Sequence, residues 1–361
     1  MHHRRIIEQP PLKPSMDSDM KTIASTDHLL HFPRGELSGG QMVRPYECPE
    51  RWDYIVKALA DGGFSAPQAP EELDLSTLSK IHGEDYLQFL ATAWSQWEAA
   101  GYEGEALPMV VAARRMQQRE PENINGKLGY FAGATDTAIT ATTWQAVKSS
   151  AACAQTAARL LSAGEASAFS LCRPPGHHAG HDLFGGYCFL NNAAVAAQQL
   201  LDSGASKVAI LDIDFHHGNG TQDIFYERND VLFVSLHGNP GHAFPYFLGY
   251  ADETGRGRGE GYNINHPMLP GTTYGAWSDA LNDSLQRIGE FLPDALVVSL
   301  GVDTFERDPI SFFKLTSDDF TRCGQRLGQQ SLPTLFVMEG GYAVEEIGIN
   351  THNVLSGFLN P

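Results

Sequence analysis

Four short stretches of this chain end in side chains able to hold a metal or move a proton. Val208-Ala-Ile-Leu211 runs into Asp212-Ile-Asp-Phe-His-His217, and Ala295-Leu-Val-Val-Ser-Leu300 into Gly301-Val-Asp303. Leu335-Phe-Val-Met338 leads to Glu339-Gly-Gly-Tyr342, and Ala168-Phe-Ser-Leu-Cys172 to Arg173-Pro-Pro-Gly-His-His178. Asp212, Asp214 and His216 alternate, so on extended backbone their side chains can share one side. Two oxygen donors and one imidazole suit a catalytic zinc or another borderline divalent ion, with one position left for water. Asp214 and His216 with Asp303 make an Asp/His/Asp set, and spacing alone leaves Asp212 as a further candidate ligand. An isolated Asp-x-Asp-x-His run could equally be a solvated strand end. Asp303 and the paired His177 and His178 argue against that.

Two adjacent imidazoles are poor joint chelators beside such a set but suit a proton-transfer pair, because histidine can take and give a proton near neutrality. Both protonated would repel, so the pair should share its protons unequally. Tyr342 follows a glycine turn, where its hydroxyl could steady an oxyanion. Tyr187, next to Gly186, and Phe244 could wall a narrow channel, although packing is the competing reading for each. Together these groups suit metal-assisted hydrolysis of an amide, with a histidine as base and then acid. Neither a Gly-x-Ser-x-Gly elbow nor a His-Glu-x-x-His helix is present, which removes two common hydrolase alternatives.

The elements that must carry these residues follow from the pattern. Short apolar runs read as strands buried on both faces, and open α/β sheets place chemistry at the carboxyl ends of strands. Further strands are expected at 21–25 and 229–236. Helices are expected at 49–59, 85–100, 143–163, 192–202 and 274–291. This alternation predicts an α/β fold with a mostly parallel sheet of about eight strands and helices on both faces. Residues 1–20 read as a flexible or extended arm, and 21–361 as a single catalytic domain. Within it, 101–129 lose periodicity and read as a long loop, which in a compact protein is usually functional.

Bulk properties narrow the partners. The formal net charge of -18 over 361 residues leaves no basic stripe for phosphates, so nucleic-acid binding is not expected, whereas cationic substrates would be attracted. No run is apolar enough to span a bilayer. Five cysteines without metal-ligand spacing suit a reducing, cytoplasmic compartment.

The motifs just quoted, together with Val234-Ser-Leu-His237, Phe184-Gly-Gly-Tyr-Cys-Phe-Leu-Asn-Asn192 and Asp308-Pro-Ile-Ser-Phe-Phe-Lys-Leu315, resemble the arginase/deacetylase superfamily. The likeness is nearest to its acetylpolyamine amidohydrolases, relatives of the zinc-dependent histone deacetylases. The resemblance implies a three-layer fold and one zinc held by Asp214, His216 and Asp303. It implies His178 as general base and acid, His177 as its electrostatic partner and Tyr342 as the carbonyl-polarising group. It further implies a potassium ion on the backbone carbonyls of Asp212, Asp214 and His216, the Ser235 hydroxyl and the Leu236 carbonyl. A second monovalent site would lie near Phe225 and Val231, and Asp212 would thus support the zinc site without ligating zinc.

Asn219 stands where the best-known histone deacetylases carry an aspartate paired to the second histidine. An amide stabilises an imidazolium less, so His178 should be less basic here. The resemblance also implies a homodimer through 101–129 and two acidic receptors for the substrate's distant ammonium groups. Asp136 and Asn125 occupy those positions, the first with a shorter carboxylate and the second with no charge. The implied function is zinc-dependent deacetylation of small acetylated polyamines such as acetylputrescine, acetylcadaverine or acetylspermidine. A protein acetyllysine deacetylase is the main alternative, with an arginase-like ureohydrolase and a non-enzymatic binding protein behind it.

Overall fold

The computed structural model describes residues 20–113 and 117–361. The arm expected at the start therefore lies outside the described residues, except that Met20 is buried at the edge of the core. The strands are β1 (Lys21–Ile23), β2 (Glu36–Ser38), β3 (Gln41–Val43), β4 (Ser167–Ser170), β5 (Val208–Asp212), β6 (Val231–Gly238), β7 (Asn263–Met268), β8 (Ala295–Leu300) and β9 (Thr334–Met338). The helices are α1 (Glu50–Asp61), α2 (Leu75–Leu78), α3 (Glu84–Ala99), α4 (Ile124–Tyr130), α5 (Thr143–Ser162), α6 (Asn192–Asp202), α7 (Asn219–Phe225), α8 (Tyr274–Phe291), α9 (Ser317–Gly328) and α10 (Val344–Leu359).

Seven strands form one sheet in the order β1-β4-β9-β8-β5-β6-β7, and every pairing is parallel. About eight were expected; β2 and β3 pair only with each other, as a separate antiparallel hairpin. The sheet's interior strands are apolar at consecutive positions because both faces are covered. Val208 and Ile210 pack into one core, while Ala209 and Leu211 of the same strand pack into the other. Ala295 and Val297 against Leu296 and Val298 repeat the alternation on β8. The first core is closed by small-residue faces, Ala151, Ala154 and Ala158 of α5 and Ala193 to Ala197 of α6, which let the helices approach closely. The second is closed by bulky side chains, Ile55 of α1, Trp277 and Leu281 of α8, Phe320 of α9 and Val354 of α10.

Segment 101–129 is not wholly irregular, since α4 begins inside it. Asn123 caps that helix by accepting the Asn125 amide at 2.9 Å. Residues 114–116 lie outside the described part.

Candidate active site

Four neighbours in the sheet, β4, β9, β8 and β5, carry at their carboxyl ends the loops that hold His177 and His178, Tyr342, Asp303, and Asp214 with His216. Adjacent parallel strands thus deliver residues far apart in sequence to one point. His216 Nδ1 lies 3.0 Å from Asp303 Oδ2 and 3.3 Å from Asp214 Oδ1. One donor atom from each of the three falls within 4.8 Å of the others, and all three residues are buried. Asp212 is not in this group. Its Oδ2 contacts His177 Nδ1 at 3.0 Å, and its Oδ1 accepts the Asp214 amide at 3.1 Å. The chain must pass very close to these carboxylates, and a Cβ on Gly301 would stand 2.1 Å from Asp214 Oδ2.

The donor set fits a divalent cation. Among the described residues, the ion-pair partners of Asp214 and Asp303 are histidines alone, so two fully buried carboxylates lack a fixed positive charge. Protons respond accordingly. Burial first and the neighbouring Asp214 second push Asp303 up to about 8. Burial opposes a charge on His216, yet its hydrogen bonds to Asp214 and Asp303 raise it to about 10. A divalent ion would replace that proton and satisfy both carboxylates.

The two adjacent histidines are driven in opposite directions. Their rings lie 4.0 Å apart. Burial works against a charge on His177, but the Asp214 and Asp212 carboxylates outweigh it and hold this imidazole well above its ordinary range. His178 is held well below its ordinary range, by burial and then by the positive fields of His177 and His216. His178 Nδ1 contacts Asn219 Oδ1 at 2.7 Å. With the amide oxygen accepting, Nδ1 carries the proton and Nε2 keeps its lone pair.

His178, His216 and Tyr342 line a cavity of about 220 Å³. Asp136, Gly186, Tyr187 and Phe244 also line it. Phe244 stands edge-on to His178 with ring centroids 4.9 Å apart, and Tyr187 stands edge-on to Tyr342 at 5.7 Å. Gly186 has φ +54°, and a Cβ there would come within 2.5 Å of the His178 ring, so conformation and space both require glycine. Asp136 Oδ1 accepts the Gly186 amide at 3.2 Å. Asn125 is not brought to this cavity; its side chain on α4 donates to the Tyr102 hydroxyl at 2.5 Å. Phe225 and Val231 end α7 and start β6, and Ser235 sits beside Asp212 in the β5–β6 register.

Several supporting residues carried no signal of their role in the sequence: Arg173, Glu339 and Asp308 stand in the quoted motifs without an assigned role, and Glu47 and Arg51 stand in none. Buried Glu47 accepts from Arg51 at 2.9 Å and forms an ion pair with Arg173 at 2.8 Å. Burial alone would raise its carboxyl, but Arg173 and Arg51 outweigh this and hold it below its ordinary value. Arg51 also donates to the carbonyls of Glu339 and Gly341, at 2.5 and 2.7 Å, and its guanidinium lies 5.1 Å from the Tyr342 ring centroid. The Glu339 carboxylate accepts the amides of Gly176 and His177 at 2.7 and 3.1 Å. Asp308 accepts those of Tyr342 and Ala343 at 2.7 and 3.2 Å. The tyrosine loop and the histidine loop are thereby tied to each other and to α1.

The histone deacetylase domain family matches residues 45–358. An acetylpolyamine amidohydrolase from Mycoplana ramosa is 57% identical over 338 residues, covering 94% of this chain and 99% of the relative. Acetylpolyamine amidohydrolase 2 of Pseudomonas aeruginosa is 53% identical over 339 residues, covering 94% and 98%. The crystal structure of an acetylpolyamine aminohydrolase from Burkholderia pseudomallei superposes with a TM-score of 0.89 at 39% identity, covering 94% of this chain and 98% of that one. A parallel sheet whose adjacent strand ends assemble this Asp/His/Asp cluster, with relatives of such identity over nearly full length, places the chain in the acetylpolyamine amidohydrolase family of the arginase/deacetylase superfamily.

Proposed function

We propose that the protein removes acetyl groups from small N-acetylated polyamines such as acetylputrescine, acetylcadaverine or acetylspermidine. The observation that carries this reading is the buried Asp214/His216/Asp303 cluster beside a narrow cavity that also presents His178, Tyr342 and the carboxylate of Asp136. Asp214, His216 and Asp303 would hold a zinc ion, which when bound would supply Lewis acidity toward the amide carbonyl and lower the pKa of water. His178 is neutral with a free Nε2, so it takes the proton of the attacking water and then delivers it to the departing amine. His177 stays charged through Asp212 and favours the negative charge that develops beside it. Burial holds the Tyr342 phenol well above its ordinary value, so it remains a donor to the carbonyl oxygen. Asp136 receives the distal ammonium, and the aromatic walls admit a slender methylene chain.

A potassium ion on the backbone of Asp212, Asp214 and His216 with Ser235 and Leu236 belongs to the same reading, supported by the Asp212–Ser235 register pair. A second would use carbonyls near Phe225, where α7 ends, and Val231. Homodimerisation through 101–129 is supported by exposed Met109, Val110 and Val111, at 75, 56 and 61%. Five free cysteines, all buried, support a reducing cytoplasmic setting. The test is a side-by-side comparison of kcat/KM for acetylputrescine, acetylcadaverine, acetylspermine and an acetyllysine peptide. The polyamines should lead, and a preferred peptide would reassign the protein as an acetyllysine deacetylase.

A further inference from the structure

Tyr187, a wall of the cavity, is held from behind by an unusual residue. Its hydroxyl donates to Glu36 Oε1 at 3.1 Å. Glu36 begins the β2–β3 hairpin and is 5% exposed, whereas Leu37 and Met42 of the same hairpin are 61 and 67% exposed. Glu36 is the one residue of the two hairpin strands that is buried. A carboxylate is a costly anchor, because burying a charge without full pairing is unfavourable, and an apolar side chain would pin the hairpin at lower cost. The cost is visible in its second oxygen, Oε2, which is buried with no hydrogen-bond partner. Tyr187 also needs holding, since a non-glycine residue at φ +68° is strained.

Glu36 and Asp136 both border a small space of about 10 Å³ beside the Tyr187 ring, and Asp136 lines the main cavity as well. That space is about the size of a single water. On that side the ring has no room to move, and toward the main cavity the hydroxyl bond to Glu36 restrains it. On the other side Tyr187 meets Tyr342 edge-on at 5.7 Å.

We infer that Glu36 is a positioning residue that sets substrate specificity: by accepting the Tyr187 hydroxyl from the hairpin side, it fixes that ring against Tyr342 and so holds the cavity narrow enough for slender acyl amides. The inference rests on the amide-hydrolase reading of the site, and it goes beyond it by placing the selectivity element outside the cavity.

Three variants test it: Glu36→Gln, which keeps an oxygen acceptor, Glu36→Leu, which removes it, and Tyr187→Phe, which removes the donor. The readout is the ratio of kcat/KM for acetylputrescine to that for an aryl-capped acetyllysine amide. Alongside it runs the ratio of Kd values, by calorimetry, for a slender aminoalkyl hydroxamate and an aryl-capped one. Glu36→Leu and Tyr187→Phe should each move both ratios toward the bulky ligand by roughly tenfold, with the double variant no worse than either. Glu36→Gln should restore most of the discrimination. Unchanged ratios in Glu36→Leu, or a Gln variant as relaxed as Leu, overturn the inference. Wild-type protein that hydrolyses neither amide would instead overturn the functional reading, and the hydroxamate ratio then decides on Glu36 alone. If Glu36→Leu fails to fold, Tyr187→Phe alone decides by the same ratios.

Discussion

His178 Nδ1 lies 2.7 Å from the side-chain oxygen of Asn219, so the base of this site is oriented by an amide and not by a carboxylate. An amide fixes the tautomer, leaving Nε2 free, without the charge that would stabilise an imidazolium. Burial and the positive His177 and His216 then hold His178 in its neutral form.

Asn219→Asp should therefore make His178 more basic. Since the neutral imidazole is the active base, the acid limb of the kcat/KM profile should move to higher pH, by about one unit. A pH-rate profile of the variant checks this, and a limb that stays in place or moves down would exclude His178 as the titrating base.

Tyr342→Phe should lower kcat by roughly 10²–10³ with little change in KM, the signature of a donor used mainly in the transition state. Equal losses in kcat and in substrate affinity would mark Tyr342 as a wall and not an oxyanion donor.

Removing metal with a chelator should abolish activity and lower Tm, because Asp214 and Asp303 are buried and, among the described residues, their ion-pair partners are histidines alone. Elemental analysis should return one zinc per chain, and Asp303→Ala should return none. A chain that binds no divalent ion would sink the hydrolase mechanism.

Asp136→Asn should raise KM for acetylated diamines about tenfold while leaving kcat nearly unchanged, and should flatten the dependence of kcat/KM on salt. Identical salt dependence in variant and wild type would show that the ammonium is received elsewhere.

Glu47→Ala should destabilise the fold by about 3–5 kcal/mol, because it leaves two buried guanidiniums unpaired. Denaturant titration measures this. The Glu47 carboxyl is held below its ordinary 4.5, so its contribution is complete above that value and is lost as pH falls through the lower folded one. Acid unfolding of the wild type should therefore be steeper than that of the Glu47→Gln variant, which lacks the titrating carboxyl.

What could be read in the chain, and what could not, follows from burial. β5, β8 and β9 announce themselves as unbroken apolar runs because helices cover both faces of the sheet. β7 does not, because it lies at the sheet edge and carries Asn263, Asn265 and Pro267 along a half-exposed strand. The β2–β3 hairpin is three residues a side and reads as loop. Asp214, His216 and the histidine pair were legible because each falls within a short motif, and Asp303 because it too follows an unbroken apolar run. The pairing of Glu47 with Arg51 was not, since an arginine on an amphipathic helix reads as solvated until the fold buries it. Asn125 failed to reach the cavity for a related reason, as α4 and the Tyr102 hydroxyl hold it elsewhere.

The strand order also constrains when the site can exist. β9, near the end of the chain, inserts between β4 and β8 rather than adding at an edge. Until it does, the loop bearing Tyr342 has no position, the Asp214 carboxylate lacks the Gly340 amide that donates to it at 2.8 Å, and Arg51 has no carbonyls to bind. Such a non-local closing step is slow to form, so a nascent chain emerging from the ribosome carries the metal ligands well before it carries a finished metal centre. Catalytic competence here waits on β9 taking its place between β4 and β8.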